Sequence, residues 1–107
     1  MGEQADKSWK VKLRYGLLKT PYSHFTVLAD GVAVALDAAF QCPPGPAFMS
    51  MKCWCSSSEE AIDMTRVIGG HVGYRTEGRV QVYDTEPEQA PREAPHGYDI
   101  GFTAYQK

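Results

Sequence analysis

The stretch from Ser57 to Val72 constrains the fold most, because it carries a helix start signal and a helical repeat together. Ser57 and Glu60 have the spacing of a capping box, in which side chains satisfy the free amides of the first turn. Apolar residues then recur at spacings of three and four, at Ala61, Met64, Ile68 and Val72. Gly73 suits the position that closes a helix. These features predict a helix over 58–72 that packs one side on a sheet.

Segments on both sides of this helix alternate between apolar and polar residues, which is typical of strands. The pattern predicts strands at 9–15, 23–29, 48–55, 79–84 and 98–105. The pair Asp30-Gly31 suits a two-residue hairpin turn and predicts a further strand at 32–38, although the alanine-rich segment 32–40 also suits a short helix. Strand 48–55, the helix and the strand ending at 84 would form a βαβ unit.

The order of these elements predicts an α+β fold, with a mostly antiparallel sheet of about five to six strands and the 58–72 helix on one face. A chain of 107 residues has the size of one domain, so we expect a single domain over 9–107 and a flexible N-terminus over 1–8. Proline-rich loops are predicted at 42–47 and 85–97. Because one helix covers only part of such a sheet, the other face must be solvated, bind a ligand or meet another subunit.

Charge and hydropathy argue against nucleic-acid and membrane partners. Lys and Arg number 11 against 13 Asp and Glu, a net charge of −2, whereas nucleic-acid binding needs a concentrated positive surface. No apolar run reaches the roughly 18 residues that span a bilayer, and residues 1–10 lack the apolar core of a signal peptide. With an odd count of three cysteines, we expect reduced thiols and a cytoplasmic location.

The three cysteines could supply a metal site, because Cys53 and Cys55 share one side of a strand and Cys42 lies in the preceding loop. The fourth ligand would be His24, His71 or His96. Structural zinc sites usually contain a second closely spaced pair of ligands, which this sequence lacks. We therefore expect buried thiols without a metal or other cofactor. A redox role for Cys55, which lies just before the predicted helix, is an alternative.

The candidate site residues are Trp54, Tyr83, His96 and Tyr98. His96 follows the second proline-rich loop and could act as a general base, but the sequence supplies no nucleophile or familiar catalytic motif beside it. We therefore expect a protein without enzymatic activity. The aromatic residues lie on predicted strands, where they either belong to the core or line a binding surface.

Three hypotheses about function remain open. The first is a binding or interaction module, a homodimer, that uses the helix-free sheet face and the proline-rich loops. The second is a small-molecule-binding protein or minor enzyme with a pocket between the sheet and the 85–97 loop, lined by Trp54, Tyr83 and Tyr98 with His96 at its mouth. The third, an immunity or antitoxin-like partner of another protein, fits the small acidic chain but is specified by no particular residue.

Overall fold

The computed structural model describes residues 8–105, which contain two α-helices and four strands. In chain order these are α1 (Trp9–Arg14), β1 (Ser23–Ala33), a short 3₁₀ helix (Ala38–Phe40), β2 (Gly45–Cys55), α2 (Ser58–Val72), β3 (Tyr74–Asp84) and β4 (His96–Ala104). The strands form one antiparallel sheet in the order β3-β1-β2-β4. The predicted α+β class with one main helix is confirmed. The prediction of five to six strands is wrong, since residues 8–105 contain four.

Helix α2 has the predicted bounds and the predicted caps. The Glu60 amide donates to the Ser57 hydroxyl at 3.1 Å, and the Glu60 carboxylate accepts from the Ser56 amide at 2.7 Å. At the other end Gly73 has φ +102°, and its carbonyl accepts the amides of Val34 and Ala35, both at 2.9 Å. The end of α2 is therefore fixed to the chain that leaves β1.

The core lies between α2 and one face of the sheet. Alternate residues of β1 and β2 point to this face, and Val27, Met49 and Met51 there are at most 1% exposed. Burial of each such side chain contributes roughly 2 kcal/mol to stability. Tyr74, the first residue of β3, crosses the core and donates its hydroxyl to the carbonyls of Ala29 (3.0 Å) and Ala47 (2.8 Å). One aromatic side chain thus connects both central strands to the strand that follows α2.

The strand predicted at 9–15 is wrong, because Trp9–Arg14 forms α1. Trp9 and Leu13 lie four residues apart, a spacing that suits one side of a helix as well as alternate positions of a strand. Both are partly buried, and they line a cavity with Glu86 and Pro87. Among residues 8–105 no sheet strand pairs with this segment, so local hydrogen bonds decide its conformation. The prediction for residues 1–7 lies outside the described residues.

The hairpin turn predicted at Asp30-Gly31 is also wrong, because β1 continues through both residues to Ala33. Gly31 pairs with Ala47 of β2, and a Cβ atom built on it would lie 2.2 Å from the Arg75 carbonyl oxygen and 2.7 Å from the Tyr74 hydroxyl. The glycine is needed for this close approach and not for a turn. The segment after Ala33 is neither the predicted strand nor a full helix, since only Ala38–Phe40 is helical.

The remaining four strand predictions are confirmed as β1 to β4 with changed bounds. Strands β2 and β4 begin within the predicted loops 42–47 and 85–97, and β4 ends at Ala104, one residue before the predicted end. Strands β2 and β3 run parallel, as a βαβ unit requires, but β1 lies between them. In β4 the register shifts between the partners of Ser50 and Lys52, and Asp99 takes a left-handed φ of +53°. Tyr98 consequently lies on the helix-free face, whereas Phe102 lies in the core. No helix within residues 8–105 is both long and apolar enough to cross a membrane.

Candidate functional site

The structure places all four predicted site residues on the helix-free face, and it brings three of them together. Trp54 pairs with His96 across β2 and β4, and Tyr98 pairs with the neighbouring Lys52. Tyr83 lies farther along the same face, opposite Thr26 on β1, and is 45% exposed. The alternation of β2 and the bulge in β4 produce this grouping.

A fourth member of the group, His24, was considered from the sequence only as a possible metal ligand and not as part of this site. Its ring centroid lies 5.1 Å from Trp54 in an edge-to-face arrangement and 5.6 Å from Tyr98, and the His96 ring lies 6.0 Å from Tyr98. His24, Trp54 and Tyr98 are 6%, 3% and 8% exposed. We call His24, Trp54, His96 and Tyr98 the aromatic cluster. It occupies the end of the helix-free face where β1 begins.

The loop between β3 and β4, residues 85–95, covers this cluster. The Tyr98 hydroxyl accepts the amides of Glu88 (2.9 Å) and Gln89 (3.3 Å), and the Trp54 indole donates to the Gln89 carbonyl at 2.8 Å. The Tyr22 hydroxyl adds a contact to the Glu93 carbonyl at 3.1 Å. The loop backbone therefore rests directly on the aromatic side chains that the sequence suggested as the wall of a pocket.

Both histidines of the cluster have a lowered pKa. For His24 burial is the main cause, opposed by the hydrogen bond to the Thr85 backbone, with the positive charge of Lys52 as a further lowering effect. For His96 burial again lowers the pKa, followed by the nearby charge of Arg92, while the backbone of Ala94 has a smaller opposite effect. Neither ring nitrogen of His96 has a hydrogen-bond partner among the described residues. Neutral imidazoles therefore fit this environment better than charged ones.

A charged group borders the cluster at Lys52. Its ammonium lies 2.7 Å from Asp99 and 3.1 Å from Glu88, and these two carboxylates raise the pKa of Lys52. The left-handed conformation of Asp99 at the bulge turns its side chain toward the face that carries Lys52. The ion pairs therefore link β2, β4 and the 85–95 loop at the edge of the cluster.

The thiols lie away from this site. Cys53 and Cys55 are fully buried on the α2 side of the sheet with their sulfur atoms 3.9 Å apart, and burial raises the pKa of Cys53 to about 12. Burial also raises the pKa of Cys55, whose thiol donates to the Ser57 carbonyl at 3.3 Å. Within residues 8–105 no group of three or more Cys, His, Asp or Glu side chains is arranged to hold a metal ion. The chemistry of these sulfurs is that of protonated core side chains.

The rest of the helix-free face is not covered by the loop. It presents Leu28, Val32 and Phe48, which are partly buried, together with exposed Tyr83 and the uncharged polar side chains of Thr26, Ser50 and Gln81. We call these seven residues the docking face. Tyr105 stacks on Phe48 at 5.3 Å and donates to Asp30 at 2.6 Å, which closes the end opposite the loop.

Three of the cavities at the surface of the described chain are lined by residues outside the docking face and the aromatic cluster. The first, of about 160 Å³, lies between α1 and Pro87, and the second, of about 530 Å³, lies between the 3₁₀ helix and the end of α2. The third, of about 330 Å³, is formed by residues 18–21 and 91–93. None of these three cavities opens on the docking face.

Comparison of this chain with protein-family models, with curated proteins and with solved structures gives no match.

Proposed function

We propose that this chain is a non-enzymatic interaction module that forms a homodimer through its docking face and the adjacent 85–95 loop. The observation that carries the proposal is a sheet face of mostly apolar and uncharged polar side chains, with the Asp30 carboxylate among them, that no described element covers. Leu28, Val32 and Phe48 supply its apolar surface, and exposed Tyr83 adds an aromatic side chain of the kind that is enriched at interfaces.

The size of the face indicates that the loop takes part. The seven residues lie on β1, β2 and β3, so the docking face extends about 23 Å along the strands from Thr26 to Val32 and about 14 Å across three strands, which gives roughly 320 Å². A stable interface buries about 800 Å² on each partner. The docking face alone supplies about two fifths of this area, so the neighbouring surface of the 85–95 loop must contribute the remainder.

The charges at the two ends of the face complement one another across a two-fold axis. Arg75 lies opposite Val32 at the end where β3 begins, where it pairs with Glu77, and alternation along β3 places Arg79 on the same face, which also carries Asp30. Glu86 lies in the loop at the opposite end, together with Glu88, which pairs with Lys52 of the same chain. An axis perpendicular to the strands would bring the basic end of one protomer against the acidic end of its partner. This arrangement favours a second copy of the chain as the occupant.

Light scattering of the purified protein across a range of concentrations tests the proposal. We expect twice the mass of one chain for the wild type and the mass of one chain for Leu28→Asp, because the carboxylate would be desolvated in the interface. Val67→Asp is the matched control, since Val67 is 61% exposed on α2, on the other side of the molecule, and this variant should remain dimeric.

A wild-type protein that stays monomeric at every concentration would refute self-association. The docking face would then be open to a different partner or to a small molecule, and a fluorescence screen on Trp54 would be the next measurement. A Leu28→Asp variant that remains dimeric would place the dimer contact elsewhere on the chain.

A further inference from the structure

Loop 85–95 is attached to the sheet through a histidine whose hydrogen bonds determine its protonation state. The Tyr98 hydroxyl accepts the amides of Glu88 and Gln89, which occupy both of its lone pairs. Its own proton is therefore directed to His24 Nε2, 2.7 Å away. Because Nε2 accepts, the neutral ring carries its proton on Nδ1, and the carbonyl and hydroxyl oxygens of Thr85, both 3.1 Å away, are its acceptors.

We propose that His24 is a pH-sensitive latch for loop 85–95, which holds the loop on the sheet when the imidazole is neutral and releases it when the imidazole is protonated. A proton on Nε2 would face the Tyr98 hydroxyl, whose lone pairs are already taken by two loop amides. The imidazolium can be accommodated only if one of those amides loses its acceptor. Protonation of His24 and attachment of loop 85–95 to the sheet therefore exclude each other.

The groups around His24 oppose its protonation near neutral pH. Lys52 on β2 and His96 on β4 are positive or can become positive, and burial of the ring adds to their effect. Glu88 on the loop and the Thr85 carbonyl act in the opposite direction. Since burial is the largest of these effects, the latch is closed at neutral pH and opens below the ordinary pKa of histidine, 6.5.

The inference rests on the proposed function in one respect: in the proposed dimer the loop supplies about three fifths of the docking area. Release of the loop would remove that area, and protonated His24 and His96 would add positive charge to both protomers. We therefore expect acid to favour the monomer, with a dimer dissociation constant at least tenfold higher at pH 5 than at pH 7.5.

Nuclear magnetic resonance of the wild-type chain between pH 8 and pH 5 tests the latch without reference to assembly. The amides of Glu88 and Gln89, the Trp54 indole proton and the carbon-bound ring protons of His24 are followed together. We expect one shared midpoint below pH 6.5, with the Trp54 indole losing its hydrogen bond to the Gln89 carbonyl in the same step. Loop signals that stay unchanged while His24 titrates, or that move with a different midpoint, would overturn the proposal.

Variants of the histidines and of Tyr98 give a second test. His24→Gln has no titratable ring and should lack the acid step, whereas His71→Gln, which alters an exposed residue at the end of α2, should keep it unchanged. His96→Gln should keep the step and move its midpoint upward, because a neighbouring positive charge is removed. Tyr98→Phe should free both loop amides already at pH 7.5. An unchanged step in His24→Gln would refute the role of His24.

Light scattering at the same pH values separates this inference from the proposed function. A loop that opens in acid on a chain that is always monomeric supports the latch and refutes the homodimer. A dimer whose loop stays closed while His24 titrates supports the homodimer and refutes the latch. If His24→Gln does not fold, the comparison of midpoints in the wild type decides the question.

Discussion

Replacement of Gly31 by alanine should destabilise the fold more than any conservative change on the surface. The new Cβ would lie 2.2 Å from the Arg75 carbonyl oxygen, a backbone atom of the neighbouring strand, so β1 and β3 must separate. Overpacking of this kind costs about 1–3 kcal/mol. The shift would also displace the Tyr74 hydroxyl from the carbonyls it bridges, for roughly 1 kcal/mol more. We expect a total loss of about 2–4 kcal/mol.

Urea unfolding followed by circular dichroism measures this loss. With a slope of about 1.5 kcal/mol per molar urea, the midpoint should fall by roughly 2 M. Gly70→Ala is the matched control, because a Cβ at Gly70 meets nothing within 4 Å, and alanine in this helix should stabilise the protein by about 0.5–1 kcal/mol. A Gly31→Ala midpoint within about 0.5 M of the wild type would refute the argument that close approach of β3 requires glycine.

Three further predictions concern the helix cap, the buried histidine and the thiols. Ser57→Ala should cost about 1 kcal/mol in the same urea assay, because the Glu60 amide loses its acceptor, and an unchanged midpoint would show that water replaces the cap. The pKa of His24 is lower in the folded protein than its unfolded value of 6.5, and this difference contributes stability. The contribution is fully present above pH 6.5 and is lost as pH falls through the folded pKa. The urea midpoint should therefore be lower at pH 5 than at pH 7.5. In His24→Gln the difference between the two urea midpoints should be smaller. If it equals the wild-type difference, other titratable groups cause the pH dependence. A thiol reagent at pH 8 should modify partly exposed Cys42 first and buried Cys53 and Cys55 only on unfolding, whereas simultaneous modification would contradict their burial.

Helix α2 could be predicted to the residue because its signals are local. The capping serine, the repeat of apolar residues and the closing glycine all lie within one stretch of chain, and none depends on a distant partner. The alternation at 9–15 is also local, but a strand needs a neighbouring strand, and the sequence does not show whether one is available. The turn predicted at Asp30-Gly31 is wrong for the same reason. Gly31 is required by the close approach of Tyr74 and Arg75, which lie more than 40 residues away in the sequence.

The candidate site was predicted in part. Trp54, His96 and Tyr98 could be selected as large side chains on strands or beside a proline-rich loop, and the register brings them together. His24 could not be selected, because its partners Thr85 and Tyr98 lie 61 and 74 residues away. The one available signal was its position in a strand, alternating with the buried residues Phe25 and Val27, which places a polar ring on the helix-free face.

The strand order has a consequence for synthesis of the protein. The central pair, β1 and β2, is made first, whereas the strands that flank it, β3 and β4, are made last. While residues 74–104 are still inside the ribosome, both edges of the emerging hairpin present unpaired amides and carbonyls. Open edges of this kind readily pair with strands of other chains. The nascent chain is therefore exposed to aggregation at this stage, until residues 74–104 have emerged and cover both edges.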